Sequence, residues 1–299
     1  MKKWFSMIAI ALLLLSLTAC GQKNEKADKG TNETKKEEVF KIGAIPDQNA
    51  TDLKNGMDAV AKYLSDKTGM KVEFVPSVDY AALVTAFQRG EINLAWFGGL
   101  TSVQAISVAP GSEAIAQRPR DAEFHSIFIT QKNSNINKLA DLKGQSFTFG
   151  SESSTSGHLM PRYYLMEAGI DPNQDFDGKP NFSGSHDTTY KLVESGAFKA
   201  GALNEAVWEE AVKNKKVDVN KVKAFYTTPA FFDYNWTINS NVDDVFGKGT
   251  KTKVKDALLA ITTKQKDITD FFQTDKFVET KNANYDKIEK VAKELNIIK

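Results

Sequence analysis

The sequence predicts an α/β protein built as two lobes, with the chain crossing between them twice. Three observations carry that expectation. Strand-like and helix-like segments alternate from Val39 onward, the alternation restarts after a polar break over residues 131–137, and the chain ends in helices only. Repeated strand–helix–strand order predicts parallel sheets with helices on both faces.

Each segment has a local reason. Residues 39–45 are a short apolar run ended by Pro46. Over residues 53–67 the apolar positions Leu53, Met57, Val60, Ala61 and Leu64 keep a helical spacing, and Gly69 supplies the left-handed residue that ends such a helix. Residues 71–75 read as a strand, 80–88 as a helix closed by Arg89-Gly90, 94–97 as a buried strand and 101–108 as a helix, with strands at 114–117 and 125–130. After the break, strands are expected at 145–150, 181–183, 197–203, 222–227 and 234–239. Helices are expected at 157–168, 188–194 and 205–213 in the same region, and at 253–262, 268–273 and 284–295 after it. Crossings near residues 129–133 and 233–237 divide this body into lobe 1 (39–131 plus 233–299) and lobe 2 (132–232).

The N-terminus is of another kind. Lys2 and Lys3 precede an apolar run from Met7 to Leu17 that is too short to span a bilayer and ends in small residues, which is the pattern of a signal peptide over residues 1–19. Leu17-Thr18-Ala19-Cys20 resembles the lipobox of bacterial lipoproteins, which makes Cys20 the expected lipidation site. Residues 20–38 are polar and charged with nothing apolar to bury, so they are expected to be a disordered tether. The expected location is the extracytoplasmic face of the cell membrane, held by lipid.

Composition narrows the function. Lysine plus arginine (39) against aspartate plus glutamate (38) gives +1. Removing Lys2 and Lys3 with the leader turns this slightly negative, which leaves no footprint for nucleic acid. One cysteine and three histidines in 299 residues exclude a disulfide framework and most Cys/His metal sites. No metal or cofactor is expected.

In open α/β sheets ligands sit at the carboxyl ends of strands, so the strand-to-helix turns are the candidates. The richest runs from Phe149 to His158, where Ser154, Thr155, Ser156 and Gly157 open a helix. A helix start leaves N–H groups unpaired and carries partial positive charge, and three hydroxyls exceed what one cap needs. That combination suits a tetrahedral oxyanion. Trp96, Phe97 and Gly98 lie in a second turn that could aim N–H groups at the same ligand, and Tyr80 places a phenol in the first turn of a helix. His186 follows Ser183-Gly184-Ser185 at another helix start. Glu205 ends a strand and Asp233 lies at a presumed crossing; either carboxylate could take a cationic group or a protonated oxyanion hydroxyl. Motifs for a serine-hydrolase elbow, a zinc protease or a phosphate-binding loop are missing, so an enzyme is not expected.

Phe40-Lys41-Ile42-Gly43-Ala44-Ile45-Pro46, Asp79-Tyr80, Leu94-Ala95-Trp96-Phe97-Gly98, Ser153-Ser154-Thr155-Ser156-Gly157 and Ser183-Gly184-Ser185-His186 occur in an order that resembles the substrate-binding lipoproteins of phosphate, phosphite and phosphonate ABC transporters, the PhnD family. The resemblance covers residues 40–295. It implies a type II periplasmic-binding-protein fold that closes at a hinge over an oxyanion and hands it to a membrane permease. It also implies that Ser154, Thr155 and Ser156 hold the anion, that Tyr80 and His186 add hydrogen bonds, and that Glu205 and Asp233 correspond to carboxylates that meet a ligand ammonium group in aminophosphonate binders. The strings 44–48, 97–101 and 116–120 look like a branch whose members are often labelled selenate-binding. Alternatives are the same fold with an organic ligand, such as a vitamin precursor or alkyl sulfonate held by Trp96, Phe97, Phe231, Phe232 and Trp236; an extracytoplasmic sensor; and a surface hydrolase using Ser154 or Ser156.

Overall fold

A computed structural model describes residues 38–298. The expected signal peptide, Cys20 and nearly all of the tether lie outside the described residues. Among the described residues no helix is long and apolar enough to cross a membrane.

The first stretch runs β1 (Phe40–Ala44), α1 (Ala50–Thr68), β2 (Val72–Phe74), α2 (Tyr80–Gln88), β3 (Leu94–Phe97), α3 (Gly99–Val108) and β4 (Glu113–Gln117). The second runs β5 (Ser126–Gln131), β6 (Phe147–Phe149), α4 (Met160–Glu167), β7 (Asn181–Phe182), α5 (His186–Glu194), β8 (Ala200–Asn204), α6 (Glu205–Lys213) and β9 (Val222–Thr227). The chain then returns through β10 (Asn235–Ile238), α7 (Val242–Phe246), α8 (Thr250–Leu259), α9 (Lys266–Phe272), the short β11 (Val278–Glu279) and α10 (Asp286–Glu294).

Local chemistry sets the element ends. The Asn49 side chain accepts hydrogen bonds from the Thr51 and Asp52 N–H groups at the start of α1, and Gly69, at φ +70°, ends it. All five apolar positions read from the spacing of α1 are buried. Asp79 caps α2 by accepting from the Ala82 N–H.

Two sheets result. The six-stranded sheet has the order β11-β4-β10-β3-β1-β2 and the five-stranded sheet β7-β6-β8-β5-β9. Both are mixed, which departs from the parallel sheets expected. β10 lies antiparallel between β3 and β4, and β5 lies antiparallel between β8 and β9. The reason is connectivity: β5 and β10 each follow a crossing, so the chain enters them from the cleft and runs away from it. The other strands of each core, β1 to β4 and β6 to β9, end at the cleft, where ligands of open α/β sheets sit.

The crossings differ from their expected places. The strand at 126–131 pairs with β8 and β9, so it belongs to the second sheet and the first crossing is residues 118–125, not 129–133. The polar break at 131–137 that suggested a boundary is a surface turn beyond the end of β5. The second crossing is residues 228–234, ahead of β10. The two crossing segments pair with each other: Phe124 and Phe231 exchange backbone hydrogen bonds at 2.9 Å, and the Asp233 N–H donates to the Asp121 carbonyl at 3.0 Å. A buried bidentate pair, Arg118–Asp121, anchors the first crossing, with Arg118 also donating to the Phe272 carbonyl.

One large core covers the six-stranded sheet and gathers residues of α8, α9 and α10, as expected of the helical tail. The five-stranded sheet has a core on each face, with Phe128 of β5 turned to one and Ile127 and Ile129 to the other.

Candidate functional site

The hydroxyl-rich turn after β6 forms at the cleft end of the five-stranded sheet. The Ser154 Oγ accepts from the Gly157 N–H at 2.9 Å, and residues 155–159 make a π turn that runs straight into α4. Ser154, Thr155 and Ser156 are all buried. The turn is braced from behind by His158, whose Nδ1 meets the Glu152 carbonyl at 2.7 Å and whose Nε2 accepts from Arg162 Nε at 2.8 Å. Burial lowers the His158 pKa to about 4, so the ring is neutral.

Opposite it stand residues of the six-stranded sheet. Tyr80, first in α2, is buried between the carboxylates of Asp47 and Asp233, and burial together with those two charges pushes its phenol well above its ordinary range. Asp233 caps α3 from the second crossing: its Oδ1 accepts from the Gly99 N–H at 3.0 Å. Burial raises the Asp233 pKa to about 7, against the lowering effect of that N–H and of the neighbouring Ser156 and Thr155 hydroxyls. Burial raises Asp47 to about 6, against the lowering effect of its Tyr234 hydrogen bond and of Arg118.

The two sides meet. The Leu100 N–H donates to the Thr155 Oγ1 at 2.9 Å, from α3 to the π turn. Gly98 lies between them, where a Cβ would stand 3.1 Å from Asp233 Oδ1 and 3.2 Å from Thr155 Oγ1; only a bare backbone fits this junction without displacing one or the other. Within this junction three buried polar atoms, Tyr80 Oη, Ser156 Oγ and Asp233 Oδ2, meet no partner at hydrogen-bond geometry, although the hydroxyls of Ser154 and Ser156 lie near enough to Tyr80 and Asp233 to lower their pKa values. Burial without a partner costs about 1–3 kcal/mol per group, so such atoms ask for a ligand.

Several expected site residues are placed differently. The N–H groups of Gly99 and Leu100 at the start of α3 are taken by Asp233 and Thr155, so this turn does not offer those two to an anion. β3 alternation sends Phe97 into the core, edge-on to Phe87 at 5.5 Å, while Trp96 stacks on Tyr234 at 5.5 Å. Trp236 packs against Trp96 and Phe272, and Phe231 against Phe124, so the aromatic residues that would serve an organic ligand mostly pack on one another. The Glu205 carboxylate is paired with Arg120 at 3.5 Å, and Arg120 also binds Glu209 at 2.9 Å. His186 is fully buried and both ring nitrogens are engaged inside the protein, Nδ1 by the Asn204 N–H and Nε2 by the Tyr234 hydroxyl, each at 3.3 Å. The ring also lies against the hydroxyl-rich turn, its Cε1 2.9 Å from where a Cβ on Gly157 would stand.

Asp47, Asn204 and Tyr234 were not among the residues singled out by sequence. The Tyr234 hydroxyl donates to Asp47 Oδ2 at 2.8 Å and accepts from Asn204 Nδ2 at 2.9 Å. The strand-end position of Asn204 was the one available signal.

Residues 42–285 match the sequence profile of the family described as the ABC transporter, phosphonate, periplasmic substrate-binding protein. The chain belongs to this family. Its members are substrate-binding components and not enzymes. The chain is 41% identical over 270 residues, 87% of its length and 91% of the relative's, to a protein named as a probable ABC transporter phosphite binding protein from Prochlorococcus marinus. A solved structure of a Prochlorococcus marinus protein of this family in complex with methylphosphonate is 42% identical, with a TM-score of 0.84 over 87% of this chain and 99% of that one. A phosphate-import protein from Mycolicibacterium smegmatis is 29% identical over 218 residues, covering 70% of this chain and 68% of the relative. A binding component of a Pseudomonas aeruginosa phosphonate transporter, 22% identical, shares the fold at a TM-score of 0.76 over 85% of each chain.

Proposed function

We propose that this family member captures a small, protonated phosphorus oxyanion, with phosphite and methylphosphonate as the best candidates and phosphate next. The observation that carries the reading is the set of three unpartnered buried atoms at the junction of the sheets. Tyr80 Oη and Ser156 Oγ can donate to anionic oxygens, and Asp233 Oδ2 can accept a P–OH proton. Asp47 adds a second buried carboxylate beside Tyr80. Two carboxylates repel a fully deprotonated anion, so sulfate and selenate, which carry no proton near neutral pH, are disfavoured. Glu205, already paired with Arg120, gives no reason to favour an aminoalkyl substituent. The ligands named for the Prochlorococcus relative support the same class.

In this reading residues 39–125 with 233–299 and residues 126–232 are lobes that close about the paired crossings, and ligand contacts from both sides favour the closed arrangement. The receptor is held at the extracytoplasmic face of the membrane by lipid on Cys20 and delivers its cargo to a cognate permease. A thermal-shift titration of the full chain against phosphite, methylphosphonate, phosphate, aminoethylphosphonate, sulfate and selenate tests the ligand class. Ligand at about 100 times its Kd stabilises by about 2.7 kcal/mol, or several degrees. Shifts with the phosphorus anions alone are expected; a shift with sulfate or selenate alone would refute the assignment.

A further inference from the structure

The three hydroxyls of the turn after β6 lie within one closed loop of chain. His158 Nδ1 meets the Glu152 carbonyl at 2.7 Å, a bond that spans six residues and encloses Ser154, Thr155 and Ser156. Inside that loop the backbone leaves the regular helical ladder. The Leu159 N–H reaches back to the Ser154 carbonyl at 3.0 Å and the Met160 N–H to the Thr155 carbonyl, the wide spacing of a π turn. Single turns of this kind are rare and concentrate at functional sites.

One helical turn further on, Arg162 Nε donates to His158 Nε2 at 2.8 Å. Its guanidinium lies over the Phe149 ring at 5.2 Å, and Nη1 reaches Asn173 Oδ1 at 3.4 Å. The His158 ring is itself held edge-on to Phe149 and Phe182, with centroids 5.0 and 4.8 Å away.

Donor counting fixes the ring proton. Arginine has no acceptor, so His158 Nε2 presents a lone pair; a carbonyl has no donor, so Nδ1 carries the hydrogen. The ring is neutral, and it makes both bonds only in this tautomer. A neutral ring with its hydrogen on Nε2 would turn a bare Nδ1 toward the Glu152 oxygen, lone pair against lone pair, and the loop would lose its tie.

We infer that Arg162 is a positioning residue for the anion: by donating to His158 Nε2 it holds the ring in the Nδ1–H form, and that form fastens the loop that carries Ser154, Thr155 and Ser156. The inference rests on the proposed reading only for the anions that test it. Both side chains act from behind the turn, so losing this relay weakens every anion that the hydroxyls hold and leaves the order among them unchanged.

Arg162→Met keeps an unbranched stem over Phe149 and removes every donor. His158→Asn is the control background, since an amide there can donate to the Glu152 carbonyl without help from Arg162. In calorimetric titrations of the full chain with phosphite and with methylphosphonate, Arg162→Met should weaken both by about fivefold to tenfold, the scale of one buried hydrogen bond. In the His158→Asn chain the same substitution should change either affinity by less than about twofold. Nitrogen-15 spectra of the histidine rings give a readout that general loosening does not move: wild type shows a proton on His158 Nδ1 and none on Nε2, and Arg162→Met loses that pattern. Equal losses in both backgrounds, wild-type affinity in Arg162→Met, or a wild-type ring protonated on Nε2 would overturn the relay. If wild type binds neither anion, the ligand reading falls alone. The relay then stands if the ring spectrum of the ligand-free chain changes in Arg162→Met, and an unchanged spectrum overturns it.

Discussion

Ser156 and Asp233 are costly to the fold and, in the proposed reading, useful to a bound anion. The Ser156 hydroxyl is buried without a partner, so Ser156→Ala removes an unsatisfied group along with a ligand donor. The expected outcome is unchanged or slightly raised melting temperature without ligand, and a loss of about tenfold or more in affinity for methylphosphonate by calorimetry. Asp233 gives a pH signature. Burial raises its pKa to about 7, so the folded chain holds a proton there that the unfolded chain releases at lower pH. Its contribution to stability is present in acid and lost as pH rises through about 7. Asp233→Asn cannot ionise, so its melting temperature relative to wild type should climb between pH 5 and 8; a constant difference would show that this carboxylate is not held protonated. At this scale the sequence was half legible. Three hydroxyls between a strand and a helix declare themselves, as does a phenol at a helix start. Asp47 and Tyr234 do not, because their chemistry comes from meeting each other across 187 residues. His186 was visible as a polar residue near hydroxyls, but which of its nitrogens stay free is settled only by what the fold brings to them.

Elements were legible wherever one periodicity or one cap decided them. The α1 stripe, the Tyr80–Gln88 helix and the β3 run follow from local spacing. What local pattern does not carry is the sheet that a strand joins. Residues 126–131 look like a strand in either lobe, and only pairing with β8 and β9 assigns them to the second. The same limit hid the fate of the α3 amino end, which is capped by a residue 134 positions away. Close packing between elements gives a test of the helical tail. A Cβ on Gly56 of α1 would stand 2.2 Å from the Phe271 ring of α9, so Gly56→Ala must displace that ring or the helix that carries it. Overpacking of this kind costs about 1–3 kcal/mol, to be read as a fall of several degrees in melting temperature. An unchanged melting temperature would mean that α9 does not pack on α1 in this way.

For the whole molecule, the crossings run where most strands of the two sheets end, and in the proposed reading they serve as both the hinge and part of the site. In that reading Asp233, which sits in the second crossing, belongs to ligand capture and to hinge geometry alike. Other links between the sides contribute less. The Asp52–Lys216 pair, at 3.2 Å and about half exposed, is worth under about 1 kcal/mol. The stronger links are buried: the hydrogen bonds of Leu100 to Thr155, His186 to Asp47, Tyr234 to Asp47 and Asn204 to Tyr234. Thr155→Val keeps the shape and removes the oxygen that accepts from Leu100. It should cost at least about 1 kcal/mol of binding and quicken dissociation in stopped-flow measurements; wild-type dissociation would argue that the junction is not part of the closed state.

The central claim is that Tyr80, Ser156 and Asp233 together recognise a phosphorus oxyanion that carries a proton. Its most direct measurement is a calorimetric titration of the full chain with methylphosphonate and with sulfate, repeated on Asp233→Asn. Wild type is expected to bind methylphosphonate and not sulfate, and Asp233→Asn to narrow that preference by about tenfold or more. Sulfate binding to wild type as tightly as methylphosphonate, or a preference left untouched by Asp233→Asn, would contradict it.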